Sequence, residues 1–192
     1  MDGKNDMQKK SVILTRTDHL EKAMFLKKHC LEKAELEKCV CEKLPSQIFR
    51  ECRVLNEVDL PNELEIIGNE AFFKCRQLEY IDLPIGLKKI GKKAFYFSGI
   101  KKVSFPKNLE IIGEAAYQKS RLTGGVQIPA GVNYVGNFAF SGIESLKEIL
   151  FLGDPEFIGA HMINKNVLVK CRAGSRMARY CEANNLRAEY IA

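Results

Sequence analysis

The sequence predicts an α/β repeat fold: a solenoid of coils about 23 residues long, closed by a C-terminal capping helix. Three observations predict it. An apolar residue precedes proline at Leu60-Pro61, Leu83-Pro84, Phe105-Pro106 and Ile128-Pro129, at steps of 23, 22 and 23 residues. A branched aliphatic residue precedes glycine at Ile67-Gly68, Ile90-Gly91, Ile112-Gly113, Val135-Gly136 and Ile158-Gly159, at steps of 23, 22, 23 and 23. Alanine precedes an aromatic ring at Ala71-Phe72, Ala94-Phe95, Ala116-Tyr117 and Ala139-Phe140. All three markers keep one register, which independent coincidences do not produce.

Taken in chain order, residues 1–10 read as a polar N-terminal tail and 11–59 as degenerate repeats. In the second segment Ile48-Phe49-Arg50-Glu51-Cys52 matches Ala71-Phe72-Phe73-Lys74-Cys75. One step earlier, Phe25, Leu31 and Leu36 keep the spacing of Phe72, Leu78 and Leu83. The stretch 18–43 also suits an amphipathic capping helix, because Glu, Lys, Leu and Ala are good helix formers. Residues 60–169 read as regular coils. In one coil, Leu78-x-x-Ile81-x-Leu83 predicts a short strand with Ile81 and Leu83 on one side. Pro84, lacking a ladder donor, stops that strand. Gly91 permits a tight turn. Ala94-Phe95 then sits on a short helical turn, both side chains inward. One coil cannot bury its own apolar face, but stacked coils share a core. At a spacing of about 4.8 Å, six or seven coils give a rod roughly 30–35 Å long. Residues 170–192 read as the cap. Ser175 is placed to cap a helix, with Met177, Ala178 and Cys181 on one face and Asn184 or Asn185 ending it.

Composition bounds the function. The chain has 192 residues, one-domain size, and a net charge of +6, which favours acidic partners only weakly. No secretory apolar region is visible near Met1, and no run reaches the roughly 20 apolar residues of a membrane span. A cytoplasmic location is the expectation; the alternative is a cell-surface location for a piece of a longer chain. Seven cysteines cannot all pair within one chain, so reduced thiols are expected.

The pattern Leu-Pro-x-x-Leu-x-x-Ile-Gly-x-x-Ala-Phe-x-x-Cys-x-x-Leu-x-x-Ile, carried almost in full by residues 60–84, resembles the BspA-like, treponemal class of leucine-rich repeat. The ending, Val167-Leu168-Val169, then Gly174-Ser175, then Asn184-Asn185, resembles a closing segment of that family. The resemblance implies a leucine-rich-repeat solenoid and a non-enzymatic role in adhesion or protein binding. It names no partner.

The residues themselves agree with a non-enzyme. His19, His29 and His161 lie in no metalloprotease motif, and there is no P-loop or G-x-G-x-x-G. His29, Cys30, Cys39 and Cys41 form the one metal-capable cluster, but the spacing does not suit zinc and Cys41 falls on a core position. Cys52 and Cys75 read as small buried hydrophobes. Gly124-Gly125 reads as a bulge or kink rather than a phosphate cradle. Lys88-Lys89 and Lys92-Lys93 read as partners of Glu65, Glu110 and Glu114 in neighbouring coils, not as a binding patch. No cofactor and no metal is expected.

The strand (concave) face is the predicted site. Its outward residues form two rows: Lys33, Glu57, Tyr80, Lys102, Gly125 and Glu148, and Glu35, Asp59, Asp82, Ser104, Gln127 and Leu150. The second row reads as acidic over its first half, without intervening cations. The predicted partner-binding residues are Glu57, Asp59, Tyr80, Asp82, Lys102, Ser104 and Gln127, and the partner is a protein with a basic segment. These mixed or acidic rows argue against nucleic acid. The alternative function is a structural repeat fragment of a larger cell-surface adhesin.

Overall fold

The computed structural model describes residues 10–14 and 20–191. It is a solenoid of about eight coils, more than the six or seven expected. The elements are β1 (Ser11–Ile13), β2 (Lys33–Glu35), β3 (Lys43–Leu44), β4 (Glu57–Asp59), β5 (Ile66–Ile67), β6 (Lys89–Ile90), β7 (Ile111–Ile112), β8 (Gly124–Ile128), β9 (Tyr134–Val135), β10 (Leu146–Phe151), β11 (Phe157–Ile158), β12 (Leu168–Arg172), α1 (Arg176–Ala183) and β13 (Arg187–Ile191). Every strand pair is parallel, as stacking of successive coils requires. From residue 20 to 59 the chain runs through turns and short strands, without a helix. Residues 18 and 19 of the alternative capping helix lie outside the described residues. No helix among the described residues is long and apolar enough to cross a membrane.

Each coil contributes to three stacks. The first is the strand face, built from β1-β2-β4 and, further along, β13-β12-β10-β8. The second is a ribbon of two-residue strands in the order β11-β9-β7-β6-β5-β3. These strands are short because a glycine follows most of them. Gly68, Gly91, Gly113, Gly136 and Gly159 stand one above another, and the reason for glycine is close approach rather than turn geometry. A Cβ on Gly91 would lie 2.8 Å from the amide nitrogen of Asn69, and one on Gly136 2.4 Å from that of Glu114.

The third stack corrects the helical turn expected at Ala94-Phe95. The chain there forms successive tight turns with a left-handed residue every fourth position: Glu70 and Lys74 in one coil, Lys93 and Phe97 in the next. Turns 68–71 and 72–75 close through Ala71 N–H to Gly68 O and Cys75 N–H to Phe72 O, with the left-handed residue third, the type II pattern. This alternation aims every second amide along the solenoid axis. Glu70, Phe72 and Lys74 donate to the carbonyls of Lys92, Ala94 and Tyr96, each at 2.8 Å.

Between the stacks lies one continuous aliphatic and aromatic core. Phe25, Phe49, Phe72, Phe95, Tyr117 and Phe140 form a single column of parallel rings with centroid spacings of 4.9–5.6 Å. Ala71 and Ala94, fully buried, leave the room that the rings fill. At the C-terminus Ser175 accepts a hydrogen bond from the Ala178 amide at 3.0 Å, and Met177, Ala178 and Cys181 are buried. Asn184 ends the helix and Asn185 is left-handed, at φ 52°. The bulge expected near Gly124-Gly125 is present, with Lys147 of the facing strand as the extra residue: Gly124 pairs with Leu146, and Gly125 with Glu148.

Candidate functional site

The outward rows of the strand face have the predicted register at both ends. Lys33 and Glu35 stand opposite Glu57 and Asp59, and Gly125 and Gln127 opposite Glu148 and Leu150. The middle differs. Residues 80–83 and 102–105 form no strands, and their backbone groups enter none of the backbone hydrogen bonds among the described residues. Just before them, Lys101 N–H to Glu79 O and the Lys101–Glu79 ion pair at 2.6 Å join the two coils, and Thr123 N–H and hydroxyl to Lys101 O join the second to the next. The strand predicted to end at Leu83 is therefore absent. Its side chains alternate as predicted nonetheless: Tyr80 and Asp82 face out, while Ile81 is buried and Leu83 packs against the core. Glu57, Asp59, Tyr80 and Asp82 thus do not lie on adjacent strands; only the first two share one.

The unladdered pair of coils encloses a cleft of about 610 Å³. Its lips carry Tyr80 and Asp82 on one side, Lys102 and Ser104 on the other, over Leu83 and Phe105. Phe105 holds the position of Leu60 and Leu83 and turns its edge onto Tyr117 and Phe140. Ile85 joins the cleft with 75% of its surface exposed. Sequence reasoning missed Ile85, although a signal was present: its repeat mates after the prolines are Asn62, Lys107 and Ala130, and it alone is large and apolar. Gln127 is exposed on β8, beyond the residues that line the cleft.

The electrostatics correct a second expectation. The acidic row is not free of cations, because Lys33 of the neighbouring row reaches into it. Its ammonium lies 2.6 Å from Glu57, 3.3 Å from Glu35 and 3.8 Å from Asp59. Hydrogen bonds to Glu57 and then Glu35 push its pKa up to about 12. Asp82 and Lys102 take part in none of the ion pairs among the described residues. Away from this face, Lys88 meets Glu65 at 2.6 Å and Lys92 meets Glu114 at 3.0 Å, so these lysines pair between coils as the sequence suggested.

Cys39, Cys52, Cys75, Cys171 and Cys181 are buried, while Cys30 and Cys41 are half-buried. The Cys52 thiol donates to the Phe25 carbonyl at 2.9 Å, and the Cys75 thiol to the Phe49 carbonyl at 3.1 Å. Burial pushes Cys52 up to about 12 and Cys75 well above the ordinary thiol range. A thiol held protonated in this way is a poor nucleophile and a poor metal ligand. Among the described residues no three of His, Cys, Asp and Glu converge to hold a metal ion.

A single repeat model, the BspA type leucine-rich repeat region, matches six copies over residues 42–171. Among solved structures the chain is similar to the pneumococcal vaccine antigen PcpA, with a TM-score of 0.64, 22% identity, and coverage of 84% of this chain and 42% of that one. It is also similar to a leucine-rich repeat protein from Bacteroides ovatus, with a TM-score of 0.55, 16% identity, and coverage of 93% and 59%. The chain therefore spans about half the length of these two proteins. No curated protein matches it. The repeat match extends over two thirds of the sequence, and the coil geometry agrees with it: the chain belongs to the BspA-type leucine-rich-repeat family.

Proposed function

We infer that this chain, like leucine-rich repeats of this type generally, serves as a protein-interaction scaffold. We propose that this chain is a non-enzymatic interaction module whose strand face captures a protein partner through a basic segment with an apolar anchor. The observation that carries the reading is the cleft at residues 80–83 and 102–105. An exposed ring, Tyr80, and an exposed aliphatic side chain, Ile85, flank an apolar floor there, beside a carboxylate, Asp82, that enters no ion pair among the described residues. Aromatic and aliphatic anchors in a cleft supply binding energy, and complementary charge supplies orientation and on-rate. Lys102 on the opposite lip gives the docked segment a direction. Ser104 shares the lip with Lys102, and Glu57, Asp59 and Gln127 extend the surface on either side.

The test is capture of native partners by the parent chain and by the double variant Asp59→Lys/Asp82→Lys. Asp82 is exposed and enters no ion pair among the described residues, so its change shifts stability by about 0.5 kcal/mol or less; Asp59 lies 3.8 Å from the Lys33 ammonium, and its change to Lys costs up to about 1 kcal/mol more. Capture falls and its salt dependence reverses. If the double variant retains every partner of the parent, the acidic row has no role and the reading fails. A second reading, a repeat fragment of a larger cell-surface adhesin, draws on the chain's spanning only 42% and 59% of two similar solved chains.

A further inference from the structure

Two thiols meet inside the cap. Cys171 is an inward residue of β12, and Cys181 lies on the buried side of α1, which packs against that strand. Both are at most 1% exposed. Three contacts place them together. The Cys181 thiol donates to the Cys171 sulfur. The Ser175 hydroxyl, whose oxygen accepts the Ala178 amide, also donates to Cys171. Tyr190 pairs with Cys171 in the register of β12 and β13, and its hydroxyl donates to Glu182, the neighbour of Cys181, at 3.2 Å. Cys52 and Cys75, by contrast, each donate to a backbone carbonyl.

The two sulfurs of the cap are not equivalent. Burial pushes both thiols up, Cys181 to about 12. At Cys171 the hydrogen bonds from Ser175 and Cys181 work against burial, because they stabilise the thiolate. Cys171 therefore gives up its proton first, while Cys181 keeps its own and stands in contact as a second thiol. An attacking thiol beside a second thiol is the arrangement that yields a disulfide rather than a dead-end oxide.

We propose that Cys171 and Cys181 form a reversible redox site that fastens the cap, with a hydroperoxide as the oxidant. The Cys171 sulfur attacks one peroxide oxygen and the O–O bond breaks. The departing oxygen takes the Cys171 proton and leaves as water, so Cys171 carries a sulfenic acid. The Cys181 sulfur then attacks the Cys171 sulfur and the S–O bond breaks. The hydroxide that departs takes the Cys181 proton and leaves as a second water. The two thiols lose two electrons and the peroxide gains them. A dithiol reductant reverses the change by thiol–disulfide exchange. Hydrogen peroxide is close to water in size, which suits a buried pair reached through local opening of a short terminal helix. The bond ties α1 to β12, and α1 covers the apolar end around Val167 and Val169.

The test uses the full chain, freshly reduced and then treated with hydrogen peroxide. Its remaining thiols are alkylated and its peptides are mapped by mass spectrometry. A linked Cys171–Cys181 peptide appears, lighter by two hydrogen atoms, while Cys52 and Cys75 are recovered as thiols. Amides of α1 exchange with solvent roughly tenfold more slowly after oxidation, because the cross-link restricts opening of the cap. A dithiol reductant restores both readings. In Cys181→Ser, a sulfenic-acid-reactive diketone labels position 171. In Cys171→Ser, position 181 takes no label. Circular dichroism checks that each variant folds, and where one does not, the map and the exchange rates of the parent chain decide. Three results overturn the proposal. One is free Cys171 and Cys181 after peroxide has consumed the half-buried Cys30 and Cys41. The second is a linkage that leaves exchange in α1 unchanged. The third is label on Cys181 in Cys171→Ser with none on Cys171 in Cys181→Ser, which reverses the two roles.

Discussion

At the scale of single residues, the ring column carries two opposite expectations. Phe95 is fully buried between Phe72 and Tyr117, at 5.2 and 4.9 Å. Phe95→Ala leaves a cavity in a stack that cannot collapse, because the coils on either side are fixed by backbone ladders. It costs roughly 3–5 kcal/mol in chemical denaturation, and a loss below about 1 kcal/mol means that the register is wrong. Tyr117 holds the same position one coil later, but its buried hydroxyl has no hydrogen-bond partner among the described residues. Tyr117→Phe keeps the ring and removes that hydroxyl, so it raises stability by about 1–2 kcal/mol. The thiols add a pH dependence. Burial holds Cys52 at about 12 against an ordinary 9.0. Between those values the folded chain keeps the proton that the unfolded chain releases. The contribution is thus complete below pH 9 and is lost as pH rises toward 12. Cys52→Ala flattens the alkaline fall in melting temperature, and an unchanged slope removes Cys52 as its source.

At the scale of elements, the two-residue strands depend on the glycine that follows them. The Cβ of an alanine at position 136 would meet the backbone of Glu114 at 2.4 Å, closer than any side chain tolerates. Backbone on both sides is held by inter-coil hydrogen bonds, Gly136 N–H to Ile112 O at 2.8 Å among them. Gly136→Ala therefore forces the coils apart and costs about 1–3 kcal/mol, as overpacking does. Gly124→Ala meets no atom within 4 Å and is strained only by its φ of +72°, so it costs about 1 kcal/mol. Equal losses at the two positions, measured by denaturation, contradict the close-approach account. The strand face shows the same dependence on local fit. Its ladder holds where β2 and β4 or β8 and β10 align, and is missing over residues 80–83 and 102–105, where the one-residue shortening between Leu83 and Phe105 falls.

At the scale of the whole molecule, stability comes from neighbours, since each coil contacts mainly the one before and the one after. An open end then costs more than its own residues. Removing residues 170–192 takes away α1, β13 and the Tyr180 hydroxyl, and uncovers the apolar end around Ile158, Val167 and Val169. The truncated chain yields little soluble protein. A monomer with an unchanged melting temperature, seen by size-exclusion chromatography and calorimetry, refutes the capping role. The strand face, by contrast, is a surface rather than an end, and a charge change at the exposed Asp82 leaves this stability in place.

The repeat, its register, the ring column and the cap were all legible in the sequence, because periodicity records which residues a stacked coil must bury. Phe72, Phe95, Tyr117 and Phe140 lie in one line for that reason, and Ser175 caps α1 because hydroxyl capping is a local interaction. Three features were decided only by tertiary structure. Glu70 and Lys74 adopt left-handed backbone, which neither residue type announces, because alternate amides must point at the next coil. Lys33 pairs with Glu57 along its own row and also crosses to Glu35 and Asp59 of the other, since a long side chain reaches diagonally where a row diagram does not. The cleft at Tyr80 and Phe105 exists because two neighbouring coils fail to ladder. Each is a relation between coils, and a period read along one chain specifies the coil but not the fit between two of them.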